Sequence, residues 1–284
     1  MSSIQPPTLS FEVFPPQSPA DRASLLATLD QLRGCHPAFV SVTYTNHQLD
    51  YEQATLGLAQ TVQARVGCPV MVHLLAAYTS KTQVSRILAD LESLGVTQIL
   101  GLRGDLDPGQ TPGTDFPHAS DLIRFIKARN PQFRLAGAGY PAGHPESPTR
   151  EADLAHLQEK VAAGCDRVMT QVFYDNQQFD RFRADCVARG ITVPILAGIL
   201  PILSRQQALR VETDFGARLP QPLRTRLDRV WDDPVAFRAV GLDYAVEQIT
   251  DLVAHGVAGI HLFTLNQAST VAAIYARTAA LFEK

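Results

Sequence analysis

The chain has 284 residues, 45% of them hydrophobic and 19% charged, with a formal net charge of −3. That mild negative balance argues against a general nucleic-acid or membrane-surface partner, and no apolar run is long enough to span a bilayer as a helix. Cys35, Cys68, Cys165 and Cys186 show no CxxC spacing and the histidines form no HExxH-like pair, so reduced, mostly buried thiols and no metal site are expected. The opening "MSSIQPPTLS" lacks the basic-then-apolar order of a secretion signal; a cytoplasmic location is the expectation.

The first element is "LSFEVFPPQ" (9–17), where apolar and polar residues alternate as in a strand until Pro15 and Pro16 end it. A helical pattern, "DRASLLATLDQLR", follows. Further apolar runs come in order at "FVSVTY" (39–44), "PVMVHLLAA" (69–77), "QILGLRG" (98–104), "RLAGAGYP" (134–141), "RVMTQVFY" (167–174), "PILAGILP" (194–201) and "GIHLFTLN" (259–266). Helical patterns lie between them, and "KTQVSRILADLESLG" and "DLAHLQEKVAAG" each close on a glycine, a helix stop. Strand starts recur about every 30 residues, the length of one βα unit. The last interval is about twice that, and predicts extra helices before the final strand, "DPVAFRAVGLDYAVEQITDLVAHG" among them. Eight alternations without a linker predict one (β/α)8 TIM barrel over residues 1–284. An open doubly wound sheet is the alternative, but its first turn is normally glycine-rich, and here that turn is "PPQSPAD".

In a barrel the strand C-terminal ends and the loops after them form the site. The polar residues there are Glu12, Thr43 with Tyr44, His73, Arg103 with Asp105, Tyr140, Gln171, and Thr264 with Asn266. Singly each has a bland reading: Thr43 and Gln171 satisfying local backbone, Glu12 as a structural carboxylate paired with Arg103. Together they converge on one mouth. A carboxylate such as Glu12 at a strand end reads as a general acid, and burial is expected to raise its pKa. Gly104 lets backbone approach a ligand, with Asp105 next to it. The segment "GYPAGHPES" (139–147) reads as a stiff loop in which Tyr140 meets a ring, and His144 belongs to the same loop. Asp153, His156 and Lys160 share a helix face by spacing, for which a solvated surface is the ordinary explanation. The arginines of "RLPQPLRTRLDR" (218–229) read the same way. Neither "GILPILS" nor "TLNQAST" carries the glycine pair of phosphate-binding barrels.

Taken in order, "SFEVFPP", "FVSVTY", "LRGD", "YPAGHPE", "MTQVFYD", "GILPI" and "LFTLN" resemble the methylenetetrahydrofolate reductase family, from about residue 9 to about residue 280. The resemblance implies a flavoprotein barrel that binds FAD and interconverts 5,10-methylenetetrahydrofolate and 5-methyltetrahydrofolate by ping-pong hydride transfer. NAD(P)H or another electron partner would supply the electrons, and a homo-oligomer is expected. It implies Glu12 as general acid and Asp105 as the charge beside flavin and folate. It implies cofactor contacts at Thr43, His73, Arg103, Gly104, Asp105, His118, Ala119, Ala138, Tyr140, His144, Asp153, His156 and Lys160. Substrate contacts fall on Glu12, Asp105, Gln171, Gln207 and Gln267. Asp153 and Lys160 thereby move from a solvated face to a ligand site.

The chain departs from the family pattern in places. "TNHQLDYEQ" (45–53) replaces a glycine-rich loop, His156 stands where asparagine is common, and Glu159 where a base is common. Val211 replaces a phenylalanine, and Gln267 replaces an arginine. These changes surround the nicotinamide and folate tail, so the expectation is an altered electron partner or a bias toward 5-methyltetrahydrofolate oxidation. Two other functions compete: a non-catalytic flavin- or folate-binding barrel acting as sensor or partner subunit, and a folate-linked methyl transferase barrel needing no flavin.

Overall fold

The computed structural model describes residues 6–44, 55–106, 109, 113 and 115–283. Segment 45–53, noted above as a departure, lies outside them.

Eight parallel strands close into a barrel in chain order. They are β1 (Thr8–Val13), β2 (Phe39–Val42), β3 (Val70–Leu75), β4 (Gln98–Leu102), β5 (Arg134–Gly139), β6 (Arg167–Thr170), β7 (Ile195–Ile199) and β8 (Gly259–Phe263). β8 pairs back onto β1, Ser10 opposite His261 and Glu12 opposite Phe263, and this pairing rules out the open sheet. β1 ends at Val13, one residue before the Phe14-Pro15-Pro16 run. All six residues of β3 are buried, as expected for a strand covered on both faces.

Helices α1 (Pro19–Arg33), α2 (Gly57–Val66), α3 (Lys81–Ser93), α4 (Ala119–Arg129), α5 (Arg150–Ala162) and α6 (Asn176–Ala188) alternate with the strands. Local chemistry sets their ends. Ser18 caps α1 by accepting from the Asp21 amide, with Pro19 at the first helical position. Ser80 and Gln83 form a capping box on α3. The stops read at Gly95 and Gly164 follow α3 and α5, both with positive φ, 67° and 120°. The long last interval holds α7 (Arg205–Phe215), α8 (Gln221–Asp228) and α9 (Pro234–Ala254), and α10 (Ala268–Thr278) follows β8.

Three apolar groups organise the interior. The main core lies between strands and helices. A second, built on Leu200, Ile202, Val211, Leu223 and Phe237 with Trp231 against it, seats α7 and α8. The third fills the barrel bore with Phe39, Met71, Leu100, Ala136, Met169 and Leu196. Leu102 packs against this plug. Among the described residues no helix is long and apolar enough to cross a membrane, and no group of three or more His, Cys, Asp or Glu side chains is placed to hold a metal. All four cysteines are free.

Candidate active site

Two adjoining features occupy the strand C-terminal side. The first is a buried polar cluster above the apolar plug. Period-two alternation turns Ser10 and Glu12 of β1 into the bore together with Ser41 of β2, His73 of β3 and His261 of β8. Glu12 Oε2 lies 3.5 Å from His73 Nε2 and 3.4 Å from His261 Nε2. The glutamate side chain is 15% exposed, while His73 and His261 retain 4% and 1%. His261 Nδ1 is 2.8 Å from Ser10 Oγ, whose hydroxyl also donates to the Ile260 carbonyl at 3.2 Å. His73 Nε2 sits 2.6 Å from Ser41 Oγ.

These neighbours reverse the pKa shift expected for Glu12. Burial pushes its carboxyl up, but the charge of His73 and the hydrogen bond and charge of His261 together hold it below the usual carboxylate range. Burial dominates for His73 and lowers its pKa. When Ser10 donates to Ile260, His261 Nδ1 carries a proton and donates to Ser10. In that arrangement the Glu12–His261 contact holds a proton on Glu12 or on Nε2; with Ser10 donating to Nδ1 instead, the Nε2–H donates to the Glu12 carboxylate.

The loop after β8 fastens the rim of this cluster. Thr264 donates from both its amide (3.2 Å) and its hydroxyl (2.7 Å) to the Glu12 carbonyl. The Asn266 side chain exchanges hydrogen bonds with the Phe14 backbone at 2.9 and 3.3 Å. Leu265 and Asn266 both hold left-handed φ values, 51° and 52°, a strained pair that these bonds secure.

The second feature is a cleft lined by the ends of β4 and β5, the N-terminus of α4, the loop from Tyr140 to Ser147, and one face of α5. It gathers Arg103, His118, Ala119, Ala138, Tyr140, His144, Asp153, His156 and Lys160, nine residues expected from the sequence. Thr149 caps α5, which fixes the face carrying Asp153, His156 and Lys160. Lys160 donates to the Ala138 carbonyl at 2.5 Å, and burial pushes its ammonium below the ordinary lysine value. Its Nζ lies 5.9 Å from the centre of the Tyr140 ring. Burial also drives the Tyr140 hydroxyl up to about 12, and His144 meets that ring edge-on at 4.6 Å. Arg103 is held by Glu146, Nη1 at 2.5 Å and Nη2 at 2.7 Å from its two oxygens.

Of the other expected residues, His73 belongs to the buried cluster, and Thr43 stands at the end of β2, its amide bonded to the Val13 carbonyl. Gly104, at φ 88°, leads into the exposed Asp105, whose carbonyl accepts from Tyr78. Gln171 bonds to its own neighbour, the Val172 amide. Gln207 spends both ends of its amide on the β7–α7 loop, at Leu203 and Pro201. Gln267 accepts from Arg238 and Thr270. The suggested Glu12–Arg103 pair is not formed, because each side chain is taken up elsewhere. Ser10, Ser41, His261 and Glu146 were not anticipated, although strand alternation through "SFE" and "GIHLF" marks the first and third as bore-facing.

Comparison with known proteins bears on what this arrangement belongs to. The family model described as methylenetetrahydrofolate reductase matches residues 3–279. The chain belongs to the methylenetetrahydrofolate reductase family. It is 35% identical over 266 residues to 5,10-methylenetetrahydrofolate reductase of Pectobacterium carotovorum subsp. carotovorum, covering 94% of this chain and 88% of that protein. The Escherichia coli (strain K12) reductase is 34% identical with the same coverage. The NADH enzyme 1 of Arabidopsis thaliana is 32% identical, covering 90% of this chain but 46% of the longer plant protein. A solved Clostridium thermocellum protein, uncharacterised and binding two copies of 5-methyl-5,6,7,8-tetrahydrofolic acid, superposes with a TM-score of 0.62 at 12% identity over 95% of each chain. That likeness speaks for the barrel fold alone. Within the family frame, Val211 is buried in the α7–α8 core, 2% exposed.

Proposed function

We propose that this chain is a flavin-dependent methylenetetrahydrofolate reductase, with Glu12 as the proton donor to folate. The observation that carries this reading is the Glu12 carboxyl on the bore side of β1 with two imidazoles within 3.5 Å, in a chain of this family. The cleft chemistry fits FAD. Arg103, Lys160 and the N-terminus of α4 suit a diphosphate, and the Tyr140 ring suits an aromatic face. FAD, when bound, supplies two-electron hydride chemistry.

The protein's part is to hold and deliver the proton. Opening the five-membered ring of 5,10-methylenetetrahydrofolate needs a proton on the departing ring nitrogen, and Glu12 delivers it from the proton shared with His261. The acid is therefore the glutamate–histidine cluster rather than a carboxyl whose own pKa is raised. Sealed below by the apolar plug, that proton is shielded from bulk water. Asp105, at the neighbouring loop, supplies negative charge toward the cation that ring opening creates. Thr43, His118, Ala119, Ala138, His144, Asp153 and His156 complete the cofactor surroundings, and Gln171, Gln207 and Gln267 are assigned to the substrate side. For Gln207 and Gln267 this requires release of the loop bonds they now make.

An anaerobic absorbance spectrum tests the proposal: the purified protein is expected to be yellow and to bleach with 5-methyltetrahydrofolate. A colourless protein that takes up no FAD overturns it. In Glu12→Gln, flavin is expected to stay bound while turnover falls about 10²–10⁴-fold, the usual worth of a general acid. Unchanged turnover removes Glu12 from the role. Because Gln267 and segment 45–53 depart from the family pattern, we propose further that the electron partner differs or that oxidation of 5-methyltetrahydrofolate is favoured. Fast flavin reduction by NADH in stopped flow would dismiss that part.

A further inference from the structure

We infer that Glu146 sets the cofactor affinity of the cleft by holding Arg103 closed across it until an anion on the incoming ligand takes its place. This rests on the reading that the cleft receives FAD.

Three observations lead there. Arg103 and Glu146 both line the cleft and come from the loops after β4 and β5, so their pairing ties two of its walls together. With the pair formed, the cleft's free volume is about 180 Å³, below the roughly 300–1,000 Å³ of small-molecule sites. Both side chains line this space, so a dinucleotide that fills the cleft meets the pair. The two partners are also unequally placed: the Glu146 side chain is 59% exposed and that of Arg103 25%. Glu146 therefore swings into water at the cost of the ion pair alone, while Arg103 stays at its strand end.

Once Glu146 leaves, the Arg103 guanidinium is left facing the cleft without its carboxylate partner. Arg103 and Lys160 line the cleft together with the acids Asp153 and Glu159. Neither of those acids is bonded to Arg103, whose described side-chain partners are Glu146 and the Gly104 carbonyl. A phosphate offers the guanidinium the same two-oxygen geometry that Glu146 provides. The carboxylate thus stands in for the ligand's anion and competes with it. Glu146 has no assigned role among the expected site residues, and the latch gives it one.

Fluorescence titration of the flavin-stripped full chain tests this, with FAD and the phosphate-free riboflavin as probes. Glu146→Gln is expected to bind FAD about fivefold more tightly than the wild type, the scale an exposed bidentate pair allows. Riboflavin affinity should be unchanged, and Glu146→Asp should return FAD affinity toward the wild-type value. FAD affinity that is equal or weaker in Glu146→Gln overturns the latch, provided its melting temperature matches the wild type. Equal tightening for riboflavin overturns the exchange of one anion for another. A wild-type chain that binds neither probe sinks the flavin reading instead, and the two failures are told apart by that arm.

Discussion

His261 shows how a buried partner changes what a carboxylate does. At 3.4 Å from Glu12, its hydrogen bond and charge offset part of the upward push of burial on the carboxyl. Replacing it by leucine, a side chain of similar bulk, removes both contributions and leaves burial less opposed. The pKa of Glu12 is then expected to rise, and the limb of the pH–kcat/KM profile governed by Glu12 to move to higher pH, with kcat reduced by about tenfold or more through loss of the shared proton. An unmoved limb in His261→Leu would separate the histidine from the acid. Glu12 was legible in the sequence as a carboxylate at a strand end, but its direction of shift was not. His73 and His261 reach it from strands 61 and 249 positions away, and only barrel closure brings β8 beside β1.

Among the elements, α9 depends on one close approach. A Cβ built at Gly241 would stand 1.6 Å from the Ile202 carbonyl oxygen. Helix and β7–α7 loop therefore touch backbone to backbone, and the second core, with Ile202 and Phe237, packs around that contact. Gly241→Ala is expected to destabilise the fold by about 3 kcal/mol or more, the upper range for overpacking, because rigid backbone must move. The midpoint of urea unfolding reads this, and a change within about 0.5 kcal/mol would contradict the contact. The doubled interval before β8 announced extra helices in this stretch, and apolar periodicity marked α9. The value of Gly241 was not visible there, since its partner lies 39 positions earlier and touches it only through packing.

For the whole molecule, the bore that carries the buried cluster makes acid its weak side. His73 is buried with its pKa lowered from 6.5, so the unfolded chain takes up a proton there before the folded one does. Stability tied to this group is complete above about pH 6.5 and is lost as pH falls toward the folded value. Glu12, also lowered, acts in the same direction below its ordinary value of 4.5. The melting temperature is expected to fall steadily between pH 7.5 and 5, with a shallower fall in His73→Gln. A flat or rising profile would contradict the burial of a neutral imidazole.

The sequence by itself determined the eightfold alternation, the strand ends, the helix stops and the set of polar residues facing one mouth, because period-two and 3.6-residue patterns are local. It also carried the family resemblance through motifs read in order. Tertiary structure alone decided that β8 meets β1, that Glu12 faces two imidazoles rather than Arg103, and that Arg103 takes Glu146. Those outcomes depend on which side chains meet across strands and loops distant in sequence, and no local periodicity encodes that distance.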